Sequence, residues 1–156
     1  MWKVALIVAS DRAARGERED TSGPAIQQLI ESKLDCKVVE RRVLPDDIET
    51  LTENMIELTD RHQIDLLLTI GGTGLSPEDV TPEATTLVID RKVPGIGEEM
   101  RRKFMEISRE GMLTRAICGT RGNSLIINLP GAIETAKYGL QAVADQLHNA
   151  LLILQG

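Results

Sequence analysis

The stretch "IDLLLTIGGTG", residues 64–74, joins a continuous apolar run directly to three glycines and a threonine. The apolar run predicts a strand over 64–70 in the centre of a parallel sheet, because such a strand is covered on both faces. The glycines permit positive φ angles and let a ligand approach the backbone closely. We therefore expect a parallel sheet with a glycine-rich loop at the carboxyl end of one central strand.

Apolar runs and helical patterns alternate before this stretch. Strands are predicted over 3–9 and 36–44, with helices over 24–34 and from 48 to about 62. A βαβαβ alternation of this kind predicts a three-layer α/β/α sandwich with a mostly parallel sheet.

The second half of the chain keeps this rhythm with one change. Helices are predicted over 81–90, 96–110 and 133–151. Residues 115–129 predict two strands joined by a tight turn at Gly122-Asn123. This late hairpin adds one antiparallel strand, and the whole chain, 1–156, is expected to form a single domain.

Composition and charge exclude several classes of partner. The formal net charge is −6, and the chain contains only three aromatic residues, Trp2, Phe104 and Tyr138. Both features argue against a nucleic-acid partner. No apolar run approaches the roughly 20 residues that a membrane span needs, and no secretory leader is apparent at the amino terminus. Cys36 and Cys118 lack a Cys-x-x-Cys motif, which favours reduced thiols and a cytoplasmic protein.

Four predicted strands end in loops that carry polar residues or glycines. These ends are Ser10-Asp11, Asp46-Asp47, Gly71–Gly74 and Asn128–Gly131. In open α/β sheets, ligands bind at the carboxyl ends of the strands. Each loop also enters a helix, whose free N–H groups suit an anion.

The glycine loop does not match two familiar phosphate-binding motifs. A P-loop needs a lysine at its end, and none follows before Lys92. A dinucleotide fingerprint needs a third glycine opening a helix, which is absent here. Two interpretations remain open: amides that ring a phosphate, or a turn that merely reverses the chain.

Two aspartates are the strongest candidates for a metal site. Thr81 is predicted to cap the helix that begins with Pro82, which leaves Asp79 without a local role. Asp46 can serve either as a helix cap or as a functional carboxylate, and Asp47 can supply the cap instead. Two carboxylates at neighbouring strand ends could share Mg²⁺, which prefers oxygen ligands.

Five motifs, in this order along the chain, resemble those of the molybdopterin adenylyltransferase family. They are "SDRAARG" (10–16), "LPDD" (44–47), "GGTG" (71–74), "DVTPEAT" (79–85) and "LTRAICGTRGNSLIINLPG" (113–131). The family includes bacterial molybdenum-cofactor biosynthesis proteins and the G domains of gephyrin and its plant counterpart. The resemblance implies adenylyl transfer from Mg-ATP to molybdopterin, which gives adenylyl-molybdopterin and pyrophosphate. It also implies a homotrimer, or a hexamer in some bacterial members.

The resemblance also assigns roles to individual residues. It implies that Asp46 and Asp79 serve both in catalysis and in binding Mg²⁺. It implies substrate binding by Ser10, Asp11, Gly71, Gly72, Thr73, Gly74, Ser76, Thr81, Pro82, Glu83, Arg115, Pro130 and Gly131. Residues 132–134, Ala-Ile-Glu, stand where the family often has Ser-Pro-Lys, so the side-chain contacts of this loop are not carried over, while contacts from its backbone N–H groups stay open.

Two other functions compete with the adenylyltransferase. One is a molybdopterin-binding assembly or storage protein of the same fold that performs no catalysis. The other is a nucleotide-dependent oxidoreductase, which the missing dinucleotide fingerprint disfavours. For the adenylyltransferase, the substrates are ATP and molybdopterin, and a molybdate-insertion enzyme is a further partner to consider.

Overall fold

The computed structural model describes all residues, 1–156. Its elements, in chain order, are β1 (Trp2–Ala9), α1 (Asp11–Ala14), α2 (Ser22–Lys33), β2 (Cys36–Leu44), α3 (Ile48–Ile56), β3 (Leu66–Ile70), α4 (Thr81–Val88), β4 (Arg91–Lys92), α5 (Pro94–Ile107), β5 (Cys118–Arg121), β6 (Ser124–Leu129) and α6 (Ile133–Gln155). A π-helical turn, Glu57–Arg61, extends α3, and a 3-10 turn, Arg109–Leu113, follows α5. None of the helices combines the length and the apolar character needed to cross a membrane.

The six strands form one sheet in the order β2-β1-β3-β6-β5-β4. β2, β1, β3 and β6 pair in parallel, whereas β5 is antiparallel to both of its neighbours. β5 alone therefore runs against the other strands, which confirms the predicted mostly parallel sheet with one antiparallel strand. β4 was not predicted, because two residues are too few to show a period.

The sheet is buried on both faces, as the apolar runs predict. Val4, Leu6 and Val8 of β1 join a cluster of 23 buried residues with α2, α5 and α6. The alternate residues of the same strand join a cluster of 11 buried residues with α3 and α4. Alternate side chains of one strand thus pack into the cores on the two faces of the sheet, and the three-layer sandwich is confirmed.

Four helix starts differ from the sequence-based predictions, and one of them is α5, which begins at Pro94 and not at residue 96. α2 begins at Ser22, so that Pro24 is its third residue, and a short helix, α1, lies in the segment predicted to be a loop. The prediction that Thr81 caps α4 was wrong. Val80 occupies the cap position, and the Thr81 side chain makes a tertiary hydrogen bond instead.

Both cysteines are buried, and this sets their reactivity. Burial raises the pKa of the Cys36 thiol to about 11 and that of Cys118 to about 12. Because the thiolate is the nucleophile, we expect neither residue to react with a maleimide at pH 7 in the native protein. Mass spectrometry should find no label before denaturation and two labels after it. Rapid labelling of the folded protein would contradict this assignment.

Candidate functional site

A cavity of about 200 Å³ lies at the carboxyl ends of β1 and β3. Several residues predicted to form the site line it: Ser10, Asp46, Gly71, Gly72, Asp79 and Gly131. The other predicted residues do not line it: Asp11, Thr73, Gly74, Ser76, Thr81, Pro82, Glu83, Arg115 and Pro130. The structure therefore brings both predicted metal ligands and the first two glycines to one cavity.

The segment Arg18–Ser22 also lines this cavity, and the sequence analysis missed it. The segment is held by Asp20, whose carboxylate accepts a hydrogen bond from the Gly23 amide at 3.0 Å. It leads into α2, which starts at the same edge of the sheet as the other site loops. That shared position, a loop entering a helix after β1, was the signal that could have identified it.

The four carbonyl oxygens of Gly71–Gly74 are all hydrogen-bonded to two residues, Thr81 and Arg115. Thr81 donates its hydroxyl to the first carbonyl at 3.0 Å and its backbone amide to the second at 3.1 Å. Arg115 donates its backbone amide to the third carbonyl and its side-chain Nε to the fourth, each at 2.8 Å. The carbonyl side of the loop is thus fully occupied by the protein itself.

The amide side of the same loop is different. The N–H groups of Gly72, Thr73 and Gly74 donate to no acceptor in the chain. Gly71 and Gly72 have φ angles of 97° and 70°, in the left-handed region that favours glycine. A Cβ on Gly72 would collide with the Thr81 hydroxyl. Successive unpaired amides on a glycine backbone are suited to bind an anion.

Asp46 is a partly buried carboxylate with one oxygen unpaired. Its Oδ2 accepts a hydrogen bond from the Asp11 amide at 3.2 Å, whereas its Oδ1 is buried without a hydrogen-bond partner. Burial raises the pKa of Asp46; the Asp11 amide opposes this shift, and the negative charges of Asp11, Asp79 and Glu78 add to it. A buried acceptor oxygen in a negative environment is suited to a cation.

Asp47 resolves the choice that the sequence left open about the cap of α3. Its Oδ2 accepts hydrogen bonds from the amide and the hydroxyl of Thr50, at 2.9 and 2.7 Å. Asp47 is therefore the helix cap, and these bonds lower its pKa. Asp46 is not needed for capping.

Asp79 has a local role that the sequence analysis did not predict. Its Oδ2 accepts a hydrogen bond from the Ser76 amide at 3.2 Å, and its own amide donates to the Ser76 carbonyl at 2.9 Å. The carboxylate thus closes a turn while it lines the cavity. No group of three or more His, Cys, Asp or Glu residues is arranged to bind a metal ion. Asp46 and Asp79 are two of the four acidic residues that line the cavity, and carboxylate oxygens fit Mg²⁺, which retains waters and binds phosphate oxygens.

Arg115 joins three parts of the site through its guanidinium group. Besides the Gly74 carbonyl, it donates to the Asp79 carbonyl at 2.8 Å and to the Glu83 carboxylate at 2.5 Å. The hydrogen bond from Arg115 is the main reason that the pKa of Glu83 is lowered. Arg115 and Glu83 therefore bind each other behind the glycine loop.

The chain is similar to proteins of a known family. Residues 5–149 match the family model described as a probable molybdopterin binding domain. The chain belongs to this family. Its sequence is 38% identical to the molybdopterin adenylyltransferase of Haemophilus influenzae over 97% of this chain and 78% of that protein. It is 38% identical to the molybdopterin adenylyltransferase of Helicobacter pylori strain J99 over 98% of this chain and 88% of that protein.

Two solved structures share the fold. The molybdopterin biosynthesis enzyme MoaB from Thermus thermophilus superposes with a TM-score of 0.94 at 38% identity, covering 100% of this chain and 98% of that one. The tungsten cofactor synthesizing protein MoaB from Pyrococcus furiosus superposes with a TM-score of 0.88 at 31% identity, covering 99% and 98%. The family and fold predicted from the sequence motifs are confirmed.

The adjacent carboxylates Asp46 and Asp47 should affect stability with opposite signs. The raised pKa of Asp46 means that the folded state binds its proton more tightly than the unfolded state does. The free energy of unfolding therefore falls as pH rises from the ordinary pKa of an aspartate through the raised pKa of Asp46, and it stays reduced at higher pH. Asp46→Asn should remove this loss and raise Tm at pH 7, by at most roughly 2–4 °C because solvent screens part of the penalty.

Asp47→Asn is the matched control. The lowered pKa of Asp47 contributes stability above the carboxylate's ordinary pKa, and this stability is lost as pH falls. At pH 7 this variant should melt below the wild type. Thermal unfolding from pH 3 to pH 8 measures both effects, and equal shifts of the same sign would contradict the assignment of one buried and one capping carboxylate.

Proposed function

We propose that this protein transfers the adenylyl group of Mg-ATP to the terminal phosphate of molybdopterin during molybdenum cofactor biosynthesis. The observation that carries the proposal is the unpaired amide of Gly72 in the cavity that Asp46 and Asp79 also line, followed along the chain by the unpaired amides of Thr73 and Gly74. Relatives named molybdopterin adenylyltransferase, at 36–38% identity over nearly the whole chain, support the choice of reaction.

The glycine loop is proposed to bind phosphate groups of ATP through its free amides. The carbonyl groups of the loop point to its other side, where Thr81 and Arg115 hold them. The loop therefore need not rearrange to bind an anion. Binding groups that are already oriented lower the cost of reaching the transition state. The loop therefore contributes alignment and charge stabilisation.

Asp46 and Asp79 are proposed to hold Mg²⁺. When bound, the ion neutralises phosphate charge that two carboxylates in an acidic cavity would otherwise repel. The Oδ1 of Asp46 is buried without a hydrogen-bond partner, so a bound cation would compensate its charge. Addition of MgCl₂ should therefore raise Tm more in the wild type than in Asp46→Asn, a readout that does not depend on activity.

The reaction needs no nucleophilic side chain. An oxygen of the terminal phosphate of molybdopterin attacks the α phosphorus of ATP, and the bond from that phosphorus to the α–β bridging oxygen breaks. The electron pair leaves with pyrophosphate. The role of the chain is to hold both substrates in line, which can supply a large share of the rate acceleration.

A steady-state assay of pyrophosphate release from Mg-ATP with molybdopterin tests the proposal. Asp79→Asn and Asp46→Asn should each reduce turnover by orders of magnitude, because both remove charge that offsets Mg²⁺. Asp47→Asn should keep most of the activity, because that side chain faces Thr50 and not the cavity. Normal turnover in both cavity variants would show that these carboxylates are structural.

A molybdopterin-binding assembly or storage protein is the alternative. Residues 132–134 favour it, because Ala-Ile-Glu replaces the Ser-Pro-Lys that the family often has after the glycine at this position. Tight binding of molybdopterin without any release of pyrophosphate would select this alternative.

We also propose that the protein is a cytoplasmic homotrimer, or a dimer of trimers, that passes its product to a molybdate-inserting enzyme. The resemblance of the motifs supports the assembly, and the exposed apolar side chains of Leu75, Leu87 and Ile153 are compatible with burial between subunits. Light scattering at micromolar concentrations should report three or six times the mass of 17.1 kDa. A monomer would contradict the proposed assembly.

A further inference from the structure

Four polar side chains lie in the otherwise apolar layer between the sheet and α4. They are Thr69, Thr81, Thr85 and Asn128, and each is completely buried. These four side chains form the Thr–Asn network. Polar groups without water are costly unless each finds a hydrogen-bond partner, and aliphatic side chains of similar shape could fill the same space. Their presence therefore suggests a role other than packing.

Asn128 is the centre of the Thr–Asn network. It lies opposite Thr69 on the neighbouring parallel strand. Its Nδ2 donates to the Thr69 hydroxyl at 2.9 Å and to the Thr85 hydroxyl at 3.0 Å, and its Oδ1 accepts from the Ile117 amide at 3.2 Å. Both amide hydrogens and the amide oxygen are used, so the side chain is held from three directions.

The Thr–Asn network reaches the glycine loop through two threonines on the same face of α4. The Thr85 hydroxyl donates to the Thr81 carbonyl at 2.8 Å, and the Thr81 hydroxyl donates to the Gly71 carbonyl at 3.0 Å. Because residues four apart on a helix lie one above the other, Thr85 fixes the rotation of α4 that brings Thr81 to the loop. A connected path thus runs from the sheet to the backbone of Gly71.

We propose that the Thr–Asn network is a positioning device that holds the glycine loop with its amides free for phosphate. Asn128 and Thr85 are positioning residues in this scheme: neither lines the cavity, and both act through Thr81 and Gly71. The functional consequence rests on the proposed adenylyl transfer. The local consequence, a fixed loop conformation, does not.

Thr86 provides an internal comparison on the same helix. Its hydroxyl donates to the Pro82 carbonyl at 2.8 Å, the same four-residue bond that Thr85 makes to Thr81. Thr86 is exposed, however, and has no link to Asn128. A Thr→Val change at 85 breaks the network, whereas the same change at 86 removes only a local bond.

The test compares Thr85→Val with Thr86→Val at a temperature where both are folded. In Thr85→Val, the KM for Mg-ATP should rise roughly ten-fold and kcat should fall, because the amides of the loop are no longer held in place. Thr85→Ser, which retains the hydroxyl, should restore both parameters. Thr86→Val should leave them within about two-fold of the wild type, since it lies outside the network.

Amide hydrogen exchange supplies a second readout that needs no turnover. The backbone amides of Gly71, Thr81 and Arg115 are hydrogen-bonded at the glycine loop. These amides should exchange faster in Thr85→Val and in Thr81→Val, but not in Thr81→Ser or Thr86→Val. Peptides covering α2, which packs in the other core, should be unchanged. Faster exchange in both regions to the same extent would indicate general destabilisation and would overturn the proposal.

The outcomes separate this proposal from the proposed function. A wild-type protein that releases no pyrophosphate would remove the adenylyltransferase assignment, while the exchange comparison would still decide the network. Equal amide exchange rates at the glycine loop in Thr85→Val and Thr86→Val would overturn the proposed role of the Thr–Asn network, whatever the activity of the two variants. If Thr85→Val does not fold, Thr81→Val and Thr81→Ser provide the same contrast at the next step of the path.

Discussion

Occupation of the carbonyl side of Gly71–Gly74 is the constraint on which the site depends. The N–H and C=O of one peptide unit point in opposite directions because the unit is planar and trans. When Thr81 and Arg115 hold the carbonyls, the following N–H groups are directed to the opposite side of the loop. Two residues distant in sequence therefore decide what four loop residues can bind.

Charge at the same edge of the sheet imposes a second constraint. Asp46 and Asp47 are adjacent and chemically identical, yet Asp46 is partly buried with one unpaired oxygen, whereas Asp47 caps a helix. The first arrangement costs stability and the second contributes it. A carboxylate retained in an unfavourable position is the kind of local conflict expected at a functional site.

The periodic parts of the fold could be predicted from the sequence, and the parts set by tertiary contacts could not. The run over 64–70 and the β5–β6 hairpin carry their own patterns, so β3, β5 and β6 were found. α1 and β4 have four and two residues, too few for a period. Thr81 looked like a helix cap because capping is a local pattern, whereas its actual partner, Gly71, lies ten residues away.

The spacing within "DVTPEAT" follows from helix geometry and not only from contact with a ligand. Thr81 and Thr85 are one turn apart, and both face the sheet, where they meet Gly71 and Asn128. Glu83 lies between them in sequence, on the exposed side of α4, where it reaches Arg115. Pro82 fits the first turn, in which no backbone N–H is required. Thr81 contacts the glycine loop directly and Glu83 contacts it through Arg115, so these motif residues lie behind the loop and do not line the cavity.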